Sequence, residues 1–211
     1  MSDFFDKIYC INLDRRPDRW EKVSKQFNEL SLKVERFPAY NGNSLSPHKH
    51  YQINNGEVGC FMSHYRILEK IISSTEGTNF LIFEDDVEFC KNFNSLLEDH
   101  LKQLPEDWDM VYLSGHIMDD FVKVGDNLYK GKSIMATDSY FVNKKSAEKI
   151  KKILDDNFLK RPVDYVYMEN QKNGNLNAYF FKPFLTRQTP DFSDIQNTHR
   201  DYLKYYDNTN F

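Results

Sequence analysis

The 211-residue chain has no apolar run near the roughly 18 residues needed to cross a bilayer, so a membrane-spanning helix is not expected. It has three cysteines, Cys10, Cys60 and Cys90, an odd number with no CxxC pair and no zinc spacing. They read as buried thiols in a reducing compartment rather than as a disulfide framework. There is no GxxxxGK[ST] loop and no GxGxxG turn, which removes P-loop kinases and ordinary dinucleotide-binding dehydrogenases. A GxSxG elbow is also missing, so a Ser–His–acid hydrolase has no nucleophile position. Basic residues are not in excess: 28 Lys and Arg stand against 32 Asp and Glu, for a net charge of −4. A chain built to coat nucleic acid would be cationic. No N-x-[ST] sequon occurs, and the opening MSDFFDKIYC carries two acids before a strand pattern rather than a signal peptide. A cytoplasmic bacterial or viral protein is the expectation.

Aromatic residues, by contrast, are abundant, at 15% with 17 Phe and 13 Tyr. Mean hydropathy is only −0.70, yet a disordered chain would be poor in aromatics. A chain of this length buries roughly 70% of its extended surface and needs no metal or disulfide to fold. KIYCINL (Lys7–Leu13) reads as a buried strand, and Trp20, Val23, Phe27 and Leu30 recur at helical spacing after Pro17. Lys33–Phe37 is a second strand, Glu57–Ser73 a helix, and NFLIF (Asn79–Phe83) a fully apolar strand. Phe93–Leu104 is helical, Met110–Leu113 a strand, and Phe121–Lys132 a hairpin around Gly125-Asp126-Asn127. Ser139–Val142 is a strand before the helix Lys144–Asn157; Arg161–Met168 enters a helix, and Leu176–Phe181 is a late strand. Beyond Arg187 the pattern loses periodicity, and its tyrosines and Phe211 read as packing on the body. Strands alternating with helices predict an α/β sandwich around a mostly parallel central sheet in a single domain.

Three segments carry chemistry. In FLIFEDDVEF the carboxylates Glu84, Asp85 and Asp86 follow directly on an apolar strand, where ligands bind in open α/β sheets. Adjacent carboxylates repel one another unless a cation neutralises them, and hard oxygen ligands suit Mg²⁺ or Mn²⁺. An acidic helix-capping turn is the plainer alternative. In INLDRRPDRW, Arg15, Arg16 and Arg19 cluster after the first strand, as suits a diphosphate, although a solvated first helical turn would look the same. In GEVGCFMSHYRILEKI, Gly56 and Gly59 permit close backbone approach, with Ser63 and His64 following. A lone helical histidine is more often structural than catalytic. No histidine pair has the HxxxH spacing, and His48 and His50 alternate in a polar loop.

These blocks resemble glycosyltransferase family 25, in family order: YCINLDRRPDRW, FPAYNG, GEVGCFMSHYRILEKI and FLIFEDDVEF, with echoes in WDMVYLSG, TDSYFVNKKSAEKI, PVDYVY and SDIQ. The resemblance implies a GT-A-like nucleotide-sugar fold and inverting transfer of a hexose, galactose or else glucose, from a UDP-sugar to a glycan or glycoprotein acceptor. On this sequence it implies a nucleotide-sugar and metal half over about residues 1–115 and an acceptor half over about 116–211. Glu84, Asp85 and Asp86 resemble the element that holds Mn²⁺ (or Mg²⁺) on the donor diphosphate, with Asp86 first for ligation, Glu84 beside it and His199 or Asp194 as a third ligand. The donor wall is expected from Asn12, Leu13, Arg15, Arg16, Arg19, Ala39 and Gly42, with Ser63 and His64 alongside. Asp164 in PVDYVY is the expected general base and Glu169 its substitute. A non-catalytic nucleotide-sugar or glycan-binding domain of the same fold is the alternative.

Overall fold

Strand β1 (Lys7–Asn12) shows how the sequence builds layers. Tyr9 and Ile11 face one side, Ile8 and Cys10 the other, and both sets are buried, as an interior strand with two covered faces requires. The computed structural model, which describes residues 4–44, 52–206 and 211, repeats this split in β3 (Asn79–Glu84), β5 (Met110–Tyr112), β10 (Ser139–Asn143) and β11 (Ala178–Phe181). Phe80, Ile82, Tyr112, Tyr140, Val142 and Phe180 join the Tyr9 face, while Leu81, Phe83, Val111, Phe141 and Phe181 join the Cys10 face. Helices α2 (Asn55–Ser73), α4 (Lys144–Asp156) and α5 (Val163–Lys172) cover the first face; α1 (Pro17–Glu29) and α3 (Phe93–Leu101) cover the second. The result is the predicted α/β sandwich.

The main sheet adds β2 (Val34–Pro38), β7 (Phe121–Lys123) and β8 (Leu128–Gly131), in the order β2-β1-β3-β10-β5-β11-β8-β7. Its pairings make six strands run one way, with β10 and β8 opposed to their neighbours. The β7–β8 hairpin turns at Gly125-Asp126-Asn127, as the sequence predicts. Three smaller ladders pair β4 (Val87–Phe89) with β12 (Thr186–Gln188), β6 (His116–Ile117) with β9 (Ile134–Met135), and β13 (Asp191–Ser193) with β14 (Thr198–Arg200).

These ladders correct one expectation. The chain after Arg187 is not without regular structure: β12 joins β4, and β13 and β14 form a hairpin. Three-residue strands are too short to carry a period. Tyr206 is buried against Phe184, and the Arg187 guanidinium lies 4.4 Å from the Phe211 ring centre, so the tail packs on the body as read. Helix α3 stops at Leu101, and Leu104 sits in the turn before Pro105. His48 and His50 lie outside the described residues.

Candidate functional site

Because β1, β2 and β3 are parallel, their carboxyl ends share one edge of the sheet, and antiparallel β10 begins there; Ile11 pairs with Glu84, and Phe83 with Ser139. A cavity of about 330 Å³ opens at this edge. Its wall includes Leu13 and Arg15 after β1, Ala39–Asn43 after β2, Glu84–Asp86 at the end of β3, the first turns of α2 and α5, and residues 188–189, 191 and 193–196. Ligand sites at such strand ends are a general property of open α/β sheets.

Two glycines let the β2 loop touch α2. A Cβ on Gly42 would lie 1.6 Å from the Asn55 carbonyl oxygen, and one on Gly59 would lie 2.6 Å from that of Tyr40. Ser63 pins the contact: its hydroxyl accepts the Tyr40 N–H at 2.8 Å and donates to the Gly59 carbonyl at 2.7 Å. With its one proton and one acceptor site committed, Ser63 builds the wall. Gly42→Ala forces backbone apart, which costs on the order of 1–3 kcal/mol. The expected fall in melting temperature is roughly 2–4 °C per kcal/mol for a chain of this size. An unchanged melting curve would rule out the tight contact.

The acidic run divides into three different environments. Glu84 Oε1 accepts from the Thr137 hydroxyl at 2.6 Å and faces His64 Nε2 at 3.2 Å, while His64 Nδ1 lies 2.8 Å from the Tyr140 hydroxyl. Burial works to raise the Glu84 carboxyl, but the His64 and Thr137 hydrogen bonds outweigh it and hold it below the ordinary range. Asp85 accepts from Asn12 Nδ2 at 2.7 Å and from Arg19 at 2.9 Å; burial still raises it. Asp86 is pushed well up, first by burial and then by the charge of Glu84, with Asp85 and Asp138 adding to the repulsion. Its Oδ2 meets Gln188 Nε2 at 3.3 Å, and its buried Oδ1 has no hydrogen-bond partner.

Asp138 was not apparent from sequence. It sits buried at the head of β10, burial and the Glu84 charge push it up to about 7, and its Oδ1 also lacks a partner. Its segment, TDSYFVNKKSAEKI, is one of the echoes of the family, in which a polar stretch runs into an apolar strand, but Asp138 itself is not singled out there. Mutually repelling buried carboxylates with two unpartnered oxygens are a donor set that fits a hard divalent cation, Mg²⁺ or Mn²⁺. Cys60, also missed, has its sulfur within 4.8 Å of ligand atoms of His64 and Glu84. Both ring nitrogens of His64 already have partners, and burial holds the thiol well above its usual range. His64 therefore anchors Glu84 through Nε2, and with both nitrogens engaged it has no open ligand atom of its own.

Of the other expected residues, Leu13, Arg15, Arg19, Ala39, Gly42, Ser63, His64 and Asp164 line the cavity. Asn12 and Arg16 do not. Asn12 is buried behind the wall, where it bridges Asp85, the Arg16 carbonyl and the Arg36 guanidinium. Arg16 is held by Asp18 at 2.9 Å and Asp194 at 2.5 Å. Asp194 also takes Arg15 at 2.7 Å, so both its oxygens face guanidinium groups and neither is open to a metal. His199 is exposed beside Phe192 and away from the cavity wall, and Glu169 pairs with Arg161 at 3.1 Å on the outer side. Neither joins the cluster.

Asp164 stands in the first turn of α5. Its Oδ1 accepts the Tyr165 N–H at 2.9 Å, and burial, with the charge of Glu84, raises its carboxyl. The Ala136 backbone also reaches this carboxylate, from a left-handed conformation at φ 79°. A non-glycine residue held there carries local strain of about 1–2 kcal/mol.

The profile of "Glycosyltransferase family 25 (LPS biosynthesis protein)" matches residues 5–167. A "Glycosyltransferase 25 family member" of Aedes aegypti is 30% identical over 90% of this chain and 37% of its own length. "Procollagen galactosyltransferase 2" of Homo sapiens is 28% identical over 88% of this chain and 35% of its own length. The chain thus spans about a third of the length of these relatives. Among solved structures, "A197 from STIV" has a TM-score of 0.54 at 11% identity, covering 93% of this chain and 95% of its own, which is a likeness of fold.

Proposed function

The chain belongs to glycosyltransferase family 25, and from that premise we propose that it is a metal-dependent, inverting hexosyltransferase using a UDP-sugar, galactose or else glucose, as donor. The acceptor is a glycan or glycosylated protein. The observation that carries this reading is the shared cavity: the Asp86 carboxylate, whose Oδ1 has no hydrogen-bond partner, and the Asp164 carboxylate line the same space from different elements. An inverting transfer needs that separation, because the base reaches the acceptor on the face opposite the departing diphosphate.

The residues divide the work. Leu13 and the Ala39–Asn43 loop, held by Ser63, form an edge for the nucleoside. Glu84 and Asp86 would hold Mn²⁺ or Mg²⁺, which when bound supplies Lewis-acid stabilisation of diphosphate charge. His64 and Thr137 keep the Glu84 carboxylate ionised and oriented. Asp164 accepts the acceptor hydroxyl's proton, and its raised carboxyl is better matched to neutral pH than an ordinary aspartate. Tyr40 and Tyr165 line the cavity yet remain partly exposed, and offer ring faces to the apolar side of a sugar.

The test is UDP release from a panel of UDP-sugars, with and without Mn²⁺, followed by transfer to added glycan acceptors. Metal-dependent release from one donor identifies the sugar. Asp164→Asn is expected to lower transfer by about 10²–10⁴-fold, the usual share of a general base, with UDP affinity retained. Unchanged transfer would remove Asp164 from the role. UDP with Mn²⁺ that raises the melting temperature, with no release or transfer in any combination, would instead establish the binding-domain reading. Some family members are named inactive, among them a human one.

A further inference from the structure

The arginines of the cavity wall are not equivalent. Arg15 is committed to Asp194 at 2.7 Å, and Arg19 to Asp85 at 2.9 Å, Asp191 at 3.2 Å and the Phe192 carbonyl at 2.7 Å. The cluster after β1 thus holds the protein's own carboxylates. Arg200, the last residue of β14, lines the same cavity and has no carboxylate within 4.0 Å among the described residues.

Its strand is well placed and well held. In the β13–β14 hairpin Arg200 lies opposite Asp191, whose carboxylate is bound to Arg19. Just before the hairpin, Thr189 donates from its N–H and its hydroxyl to the Asp86 carbonyl, and Gln188 Nε2 reaches the Asp86 carboxylate. At the turn, Ile195 comes so close to Gly56 that a Cβ there would lie 2.5 Å from the Ile195 backbone. The hairpin therefore spans from the acidic cluster to the α2 end of the cavity. Arg200 also acts on Tyr202, another wall residue, by its charge.

We propose that Arg200 binds the diphosphate of the donor, as the guanidinium that remains open in a wall whose other arginines are internally paired. The assignment rests on the nucleotide-sugar reading. A diphosphate entering beside Glu84, Asp85, Asp86 and Asp164 meets four carboxylates. Neutralising it takes positive charge beyond one divalent ion, and a forked guanidinium matches phosphate oxygens in two parallel hydrogen bonds. Arg200 holds that anion as the sugar–oxygen bond breaks and the bonding pair leaves with the diphosphate.

Titration calorimetry on the full chain with Mn²⁺ decides it, with UDP, uridine and inorganic pyrophosphate as probes. Arg200→Ala is expected to weaken UDP and pyrophosphate about 10- to 100-fold, the worth of a charge-assisted contact, while uridine changes by less than about twofold. Arg200→Lys keeps the charge but not the fork and should fall between. Equal losses for uridine and UDP, or an unchanged affinity for UDP and pyrophosphate, would overturn the assignment. If the wild type binds pyrophosphate but neither UDP nor uridine, the nucleotide reading fails alone and the pyrophosphate series still judges Arg200. Wild-type protein that binds none of the three overturns both.

Discussion

Asp86→Ala is expected to lower metal-dependent transfer by about a thousandfold or more, the equivalent of the several kcal/mol that a Lewis-acid metal supplies, while the protein stays folded. The two halves of this expectation have separate causes. Asp86 offers a buried oxygen with no partner, surrounded by Glu84, Asp85 and Asp138, so it contributes to holding a cation more than to holding the fold. Burial and those neighbours raise its carboxyl well above 3.8, so the folded state keeps a proton that the unfolded state releases. With the folded state binding more protons, metal-free stability falls as pH rises above the unfolded value. The alanine variant loses that part of the slope and should melt at or above the metal-free wild type at pH 8. The same proton must leave when a cation binds, so Mn²⁺ affinity of the wild type rises with pH. Transfer assays, Mn²⁺ titrations at two pH values and melting curves give all three readouts. Full activity in Asp86→Ala would end the metal assignment.

Arg19→Ala should instead be severe for stability, by about 3–5 kcal/mol, the usual consequence of removing one partner from a buried ion pair. Arg19 is 9% exposed and gathers Asp85, Asp86, Asp191 and the Phe192 carbonyl around one guanidinium. Desolvation opposes its charge, and the charges of Asp86 and Asp85 more than offset that. Without it those carboxylates lose a shared cation, and the β13–β14 hairpin loses one of its ties to the α1 end, leaving those of Arg15 and Arg16. Urea unfolding at pH 5 and pH 8 checks the cause as well as the size. The loss should be smaller at pH 5, where burial lets the raised Asp85 and Asp86 take up protons. Asp85→Asn added to Arg19→Ala should recover part of the stability. A loss that is independent of pH, and is not relieved by Asp85→Asn, would make Arg19 a packing residue.

The contrast between these two variants shows where sequence reading reaches and where it stops. Both residues stand in runs that draw attention by composition, FLIFEDDVEF and INLDRRPDRW, and both come to the same cavity. Their roles are not legible from the runs. Arg15, Arg16 and Arg19 read as an anion grip because guanidinium groups at a strand end suit phosphate. Their partners Asp191 and Asp194 lie some 175 positions later in the chain, in a segment with no period to read. Asn12 resembles a donor-contacting residue but is buried behind the wall, and Ser63 has its hydroxyl committed to backbone groups. Asp138 and Cys60 stand inside blocks of the family resemblance, but nothing in those blocks singles them out, because what marks them is their place next to Glu84.

Local pattern determined the layers. Apolar runs of strand length, amphipathic spacing in the helices and the Gly125 turn account for most of the central sheet and its cover, since each signal is carried by residues within one element. The location of the acidic run at a strand end, and so at the ligand-binding edge, was equally a local fact. What only tertiary structure decided is which charges are satisfied. Pairing β3 with β10 brought Asp138 beside Glu84, and folding the terminal hairpin over the cavity consumed Arg15, Arg16 and Arg19 and left Arg200 open. Electrostatic roles depend on distance and burial rather than on chain order, and those two quantities exist only after the chain has closed on itself.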